Sequence, residues 1–363
     1  MSTHLRQQLT EAVLIPLLAI LSGLLVASVF VLFTGVPPLR AYGELFRSGF
    51  SCNELTRCNL FQTLQLATPL ILTGLSTVVA FRSGMISLGQ EGQYLIGAVV
   101  AAWLGFAIHL PPVIHAAFVI AASMLAAGIY GWIPGVLKVR LGVNEVITTL
   151  VMNNIAILFM AYVVNYPLRA DQGSTAHSPV IDETARLATF FQGSKWGVGF
   201  LLALGAAVLV YVYLWRSVPG YEQRMSGQAP FFARFGGIRS QSAAVRAMAI
   251  SGALSGMAGA IEILGVHRRL LAGFSTGVGN DGVMVAILGL LHPLGVVLVA
   301  IFFAGVRLGA QIGLQAPVQI PRELGGGIIA LMILFVACSE LYRGWITRGQ
   351  AWLSKRASRP RKA

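Results

Sequence analysis

Charge is scarce in this chain. Only 11% of its 363 residues are Asp, Glu, Lys or Arg, against 56% hydrophobic, whereas a soluble domain carries about a quarter charged residues. That balance excludes a water-soluble globular class. Lysine is scarcer still, and none of Lys138, Lys195, Lys355 and Lys362 lies in a GxxxxGK[ST] phosphate loop. The longest hydrophilic loop is about thirty residues, too short for a nucleotide-binding domain. Nucleotide hydrolysis is therefore not expected of this chain.

The six histidines, His4, His109, His115, His177, His267 and His292, show no paired spacing with Cys or acids, so no metal site is expected. An HExxH pattern is missing, which removes support for a membrane metalloprotease. Cysteine is limited to three. Cys52 and Cys58 share the loop Gly35–Gln62, where five intervening residues permit a disulfide without demanding one; free thiols are the alternative. Cys338 falls in an apolar run and reads as packing.

What is present is length without charge. Tyr94–Leu137 contains no charged residue over 44 positions, about two spans at roughly 20 residues each, with Pro111-Pro112 as the break. Further uncharged runs are Ala12–Phe33, Thr63–Phe81, Val146–Leu168, Trp196–Trp215, Ala247–Ile261, Gly282–Val306 and Leu324–Ser339. Ala12–Phe33 exceeds a signal-peptide core and no small-x-small cleavage site follows it, so it is read as the first span. Short alternating segments of the outer-membrane barrel type do not occur, and inside a bilayer that leaves helices to satisfy the backbone. The expected fold is all-α, a polytopic inner-membrane helical bundle forming one transmembrane domain over 1–363.

The formal net charge of +13 raises nucleic acid as a partner, but the basic residues sit at span ends, which favours orientation by positive loops. With the amino terminus inside, sixteen of the 26 cations fall on inner segments. They are Arg6, Arg82, Lys138, Arg140, five arginines in 216–246 and seven in the basic tail 343–363. No nucleic acid partner is expected, and both termini are expected in the cytoplasm. An even count follows. His292-Pro293 interrupts Gly282–Leu314, too long for one helix and short for two, so about ten spans with a short or broken eighth are expected.

Two polar tetrads stand out against this background. Gly89-Gln90-Glu91-Gly92 lies between apolar runs, and Gly279-Asn280-Asp281-Gly282 repeats its order 190 residues later, with Leu104-Gly105 echoed by Leu294-Gly295 at the same offset. The span count places the first tetrad after the second span on the inner side and the other after the seventh on the outer side. An inverted repeat of spans 2–5 and 7–10 is therefore expected, a plan that places polar sites near the repeat interface. Candidates for a translocation path are Gln90, Glu91, Asn144, Glu145, Asn153, Asn154, Asn280 and Asp281, because polar groups at membrane depth are costly unless paired or hydrated. Glu91 and Glu145 have a second reading as helix caps or as partners of Arg82 and Arg140. Asn153-Asn154, deep in Val146–Leu168, serves either as interhelical glue or as pore lining. Phe81, Tyr94 and Trp103 offer rings to a base.

The blocks FRSGMISLGQEGQYLIGA at Phe81–Ala98, LGVNEVITTLVMNNIA at Leu141–Ala156 and SGALSGMAGAIEILGVHRRLLAGFSTGVGNDGVMVAILG at Ser251–Gly289 resemble permease subunits of ATP-binding-cassette (ABC) importers. The branch is that for branched-chain amino acids, ribose-type sugars and nucleosides, and the likeness is greatest to the longer permease of nucleoside, or simple-sugar, importers. It implies a transport subunit without cofactor, with ATP and Mg bound by a cytoplasmic ABC ATPase. It also implies a second permease subunit and an extracytoplasmic substrate-binding protein that carries most of the selectivity, with membrane lipid around the bundle. In Ser217–Ala247, Gln223–Arg234 offers a short helix stopped by Gly236-Gly237. Here the resemblance implies an ATPase-coupling segment built on Gly227, Ala229, Pro230, Ala233, Gly236, Gly237 and Ile238, with Ala229 departing from the usual Asn. The alternative to ATP-driven import is an ion-coupled secondary transporter with Glu145 or Glu262 carrying protons.

Overall fold

The computed structural model describes residues 22–23, 25–26, 28–29, 31–32, 35–52, 58–170, 176–191, 196–274, 277–313 and 327. Most of Ala12–Phe33, all of Leu324–Ser339 except Gly327, with Cys338, and the tail 343–363 lie outside the described residues. Among those described there are eleven α-helices. They are α1 Pro38–Phe50, α2 Asn59–Arg82, α3 Gln90–Ala107, α4 Ile114–Leu141, α5 Glu145–Asn165, α6 Val198–Arg216, α7 Val218–Gln228, α8 Pro230–Phe235, α9 Ser240–Glu262, α10 Val278–Leu288 and α11 Pro293–Ile312. Among the described residues six segments are long and apolar enough to cross a membrane: α2, α4, α5, α6, α11, and α9 with its π-helical extension Ile263–His267. The chain is accordingly a multi-pass membrane protein.

The sequence breaks act where expected. The pair Pro111-Pro112 separates α3 from α4, and His292-Pro293 separates the eleven-residue α10 from α11. Gly142, at φ 69°, closes α4 in the left-handed conformation, and Lys138 and Arg140 occupy its last turn, where cations complement the helix dipole. Asn144 Oδ1 then caps α5 by accepting from Val146 N at 2.9 Å and Ile147 N at 3.4 Å. One expectation needs correction. Gln223–Arg234 is two helices, because Ala229 precedes Pro230 and is held out of helical geometry at φ −142° and ψ 70°.

The chain divides into two compact units, Ser51–Gly305 and the remainder. In the remainder, Gly309 lets its helix approach the Leu45 carbonyl of α1 more closely than a side chain would allow, and Ser28 and Tyr42 share a hydroxyl hydrogen bond of 3.1 Å.

In the larger unit α9 is central, packed on α2, α3 and α4. Small residues make that possible: a Cβ on Gly256 would sit 2.7 Å from Ser123 O, and Gly97 faces Gly256 backbone to backbone. With no hydrophobic driving force between helices in lipid, such close van der Waals seams hold them together. Hydroxyls add to the seam, since Ser76 Oγ lies 2.8 Å from Ser251 Oγ and accepts from Ser255 Oγ at 2.9 Å, all fully buried. The apolar windows of α2 and of the α9 segment are 78% and 67% buried, those of α4 and α5 only 33%. Thus α2 and α9 form the interior, and α4 and α5 turn apolar faces outward.

Candidate functional site

The two tetrads meet. Gly279 N donates to Glu91 Oε2 at 2.6 Å, and the amides of Asn280 and Gly277 also face that carboxylate. Gly279 packs so tightly on the Glu91 backbone that a Cβ has no room. The contact depends on the starts of two helices: Gln90 opens α3 and Val278 opens α10. Unbonded amides at a helix start carry partial positive charge, so a carboxylate placed there is stabilised from both sides.

The neighbours show how the two starts reach the same depth. Thr73 Oγ1, nine residues before the end of α2, donates to Val278 O at 3.4 Å, and Arg82 at that end donates to Leu291 O at 3.1 Å and Leu290 O at 3.3 Å. Helix α10 therefore runs beside the last part of α2 and in the same direction. Helix α3 departs the other way: it runs along α9 from Gly97 beside Gly256 to Gly105 beside Leu264, whereas α2 runs against α9, with Ser76 bonded to Ser251 and Ser255 and Ala80 packed with Ala244 and Met248. The second tetrad thus does not stand across the molecule from the first; the chain after α9 carries it into the bundle.

Asn153 of α5 completes the frame. Its Oδ1 accepts from Gly92 N at 2.8 Å and its Nδ2 donates to Leu88 O at 2.6 Å, while Thr149 Oγ1 accepts from Leu88 N at 3.2 Å. These bonds hold the turn that lets α3 begin inside the bundle. Asn154, one position on, is exposed and bonds only its own helix, through Leu150 O. Glu145 pairs with Lys138 at 2.8 Å rather than Arg140, and Glu91 pairs with Gly279 rather than Arg82. Gln90 is fully buried with both amide atoms unpartnered among the described residues, and Gln93 Oε1 is likewise unpartnered. Asn280 is exposed and Asp281 half-buried.

The rings expected to face a base do not share one surface. Tyr94 is buried and stacks on Phe274 at 5.4 Å, Trp103 is 52% exposed, and Phe81 packs against Ala80, Met85, Ala244 and Met248. Sequence reading also missed Gln223, a fully buried residue that donates through Nε2 to Val79 O at 2.6 Å and accepts from Tyr213 at 2.9 Å. It ties α7 to α2, and Gly227 abuts the turn at Arg82–Gly84. No local signal marks this glutamine, because its partner is 144 residues away.

Beyond α7, Ala229 and Pro230 start α8, Ala233 is buried beneath it, and Phe231, Phe232 and Phe235 are 82%, 64% and 92% exposed. Its end is a Schellman closure: Ile238 N donates to Ala233 O at 2.9 Å and Gly237 N to Arg234 O at 3.2 Å, with Gly237 at φ 77°. Gly236 is open to solvent. On the opposite flank, Cys52 and Cys58 are joined as a disulfide just before α2. No group of three or more metal-ligating side chains occurs among the described residues.

Helices that begin inside the bundle around a buried polar contact suit a membrane transport component. The chain belongs to the family of branched-chain amino acid transport system permease components, whose model matches residues 59–337. It is 36% identical to the guanosine ABC transporter permease protein NupP of Bacillus subtilis, covering 91% of this chain and 94% of that one. It is 27% identical to the nucleoside ABC transporter permease protein NupB of Lactococcus lactis, covering 96% and 97%, and 28% identical to the glucose ABC transporter permease protein TsgB13 of Haloferax volcanii, covering 90% and 88%. No solved structure matches it. As an ABC permease component the chain is not a catalytic subunit and carries no cofactor.

Proposed function

We propose that this chain moves a nucleoside or simple sugar across the bacterial inner membrane by alternating access, driven by a cytoplasmic ATPase and supplied by an extracytoplasmic binding protein. Relatives that handle guanosine, nucleosides and glucose support a neutral, hydroxyl-rich substrate. The observation that carries the coupling reading is α8: three exposed phenylalanines stand on a six-residue helix whose base is stitched to α2 by Gln223 and Gly227. An apolar surface of that kind fits a groove on a partner. Displacement of α8 would be passed through α7 to the end of α2, and along it to the contact between Thr73 and α10.

Ten spans, an inverted repeat of spans 2–5 and 7–10, and cytoplasmic termini remain our reading of the topology. The opposed directions of α3 and α10 from a shared start support the repeat. The solute path is assigned to the boundary with a second permease subunit. Within this chain Glu91, Glu145, Asn144 and Asn153 are engaged with backbone or Lys138, whereas Asn154 and Asn280 are exposed, and an uncovered carboxamide at membrane depth calls for protein or water over it.

Co-purification with an ATPase, followed by uptake measurements in vesicles, tests the reading. Replacing Phe231 and Phe235 with Asp is expected to leave insertion intact, release the ATPase and reduce ATP-dependent uptake at least tenfold, since an interface loses about 2 kcal/mol or more when a central aromatic anchor is removed. Bulky residues in place of Gly236-Gly237 should act the same way. Uptake that persists without ATP and collapses with the proton gradient would establish ion coupling instead.

A further inference from the structure

A cluster of cations and aromatics lies at the ends of α2 and α6 and is used by neither the tetrad contact nor α8. Trp215, next to last in α6, has the Arg82 guanidinium 5.5 Å from its ring centroid on one approach and that of Arg224 5.5 Å away on another. His292 lies 5.0 Å from the same indole, and Tyr211, one turn back, stacks on Trp215 at 5.5 Å. The two guanidiniums are near enough to repel each other. Neither forms an ion pair with a carboxylate among the described residues; the nearby Glu222 is engaged by Arg246 at 3.2 Å.

Uncompensated cations held together need an explanation. Arg82 spends two of its five donors on Leu290 O and Leu291 O, and Arg224 one on Leu214 O at 2.8 Å. The remaining donors have no protein acceptor among the described residues, while the backbone bonds and the shared indole hold both forks in place. Arg82 and Trp215 each lie at the end of a helix long and apolar enough to span, which sets the cluster at the membrane boundary, where tryptophan and tyrosine rings favour the headgroup level. Phosphate is the anion whose geometry suits a pair of guanidinium forks.

We propose that Arg82, Arg224 and Trp215 form a binding site for the phosphate of an anionic phospholipid headgroup. Lipid is favoured over a soluble anion because the site opens at the bilayer edge and is floored by aromatic rings that pack on glycerol and acyl carbons. The inference does not depend on the transported solute or on the ATPase.

The test uses the full-length protein in nanodiscs holding equal phosphatidylglycerol and phosphatidylcholine, with retained lipid read by native mass spectrometry. The unaltered protein should retain phosphatidylglycerol about tenfold over phosphatidylcholine, as two basic residues at a membrane surface allow, and Arg224→Gln should bring the ratio near one. Arg239→Gln, the same charge change at an exposed site outside the cluster, should leave the ratio unchanged. A photoreactive phosphatidylglycerol on unaltered protein should label the peptides bearing Arg82 and Trp215, which keeps the test decisive if a variant fails to fold. An unchanged ratio in Arg224→Gln, an equal loss in Arg239→Gln, labelling only elsewhere, or binding of inorganic phosphate without lipid preference would each overturn the assignment.

Discussion

The tetrads Gly89–Gly92 and Gly279–Gly282 carry the same residue types in the same order, yet they are built into the molecule differently. All four members of the first are buried; in the second only the glycines are, with Asn280 exposed and Asp281 half-buried. Glu91 accepts hydrogen bonds from the other tetrad's amides, whereas Gly279 is the donor and the close contact. Repetition in sequence has therefore produced a receptor and an insert. The first tetrad supplies a buried carboxyl acceptor, and the second supplies a helix start whose amides need one.

The comparison breaks most severely at Gly279. Gly279→Val would drive a branched side chain into the Glu91 backbone, so a loss of about 3 kcal/mol or more is expected, read as a lower thermal transition in detergent and poor membrane yield. Gly277→Ala, two residues earlier, where an added Cβ meets nothing within 4 Å, is the milder control, with the strain of φ 82° to bear. Next in size is the contrast of acids. Glu91→Gln keeps the shape but puts an NH2 group, which cannot accept, in competition for the amides at the start of α10 and is expected to cost about 1–2 kcal/mol, with uptake falling in parallel; Asp281→Asn, at a half-buried position, should cost about 0.5 kcal/mol. Equal effects of the two would show that the roles are not divided as described.

The smallest test sharpens the frame rather than the contact. Asn153→Ala leaves the Gly92 amide and the Leu88 carbonyl unpaired and should cost about 1–2 kcal/mol, whereas Asn154→Ala should change thermal stability by less than about 0.5 kcal/mol. If Asn154 lines the boundary with a second permease, its replacement should still alter uptake. A stability loss at Asn154 matching that at Asn153 would contradict the assignment of Asn153 as the interhelical tie.

Much of this fold is legible in the sequence because its causes are local. Uncharged length marks the spans, Pro111-Pro112 and His292-Pro293 mark the breaks, and Asn144 after Gly142 marks an end followed by a start. Other features are not local. That Asn153 ties α3 while Asn154 faces outward follows from a helical rotation of about 100° per residue, which the adjacent pair cannot reveal. The partner of Glu145 was misread because Lys138 and Arg140 flank the same loop, and only the path of the chain chooses between them. The break at Ala229-Pro230 was visible in principle, since a residue before proline resists helical geometry.

By itself the sequence determined that this chain lives in a membrane as helices, that it carries no phosphate loop, and that two polar tetrads share a pattern. Those facts rest on composition and order, which every segment expresses on its own. Only the tertiary structure decided that the tetrads touch, that Glu91 faces the start of α10, and that Arg82, Trp215 and Arg224 form one cluster. Such contacts join residues from 9 to 188 positions apart, and no periodicity encodes them: they exist because Gly279 closes on Glu91, Gly220 on Leu214 and Gly227 on the turn at Arg82–Gly84, nearer than any side chain would allow.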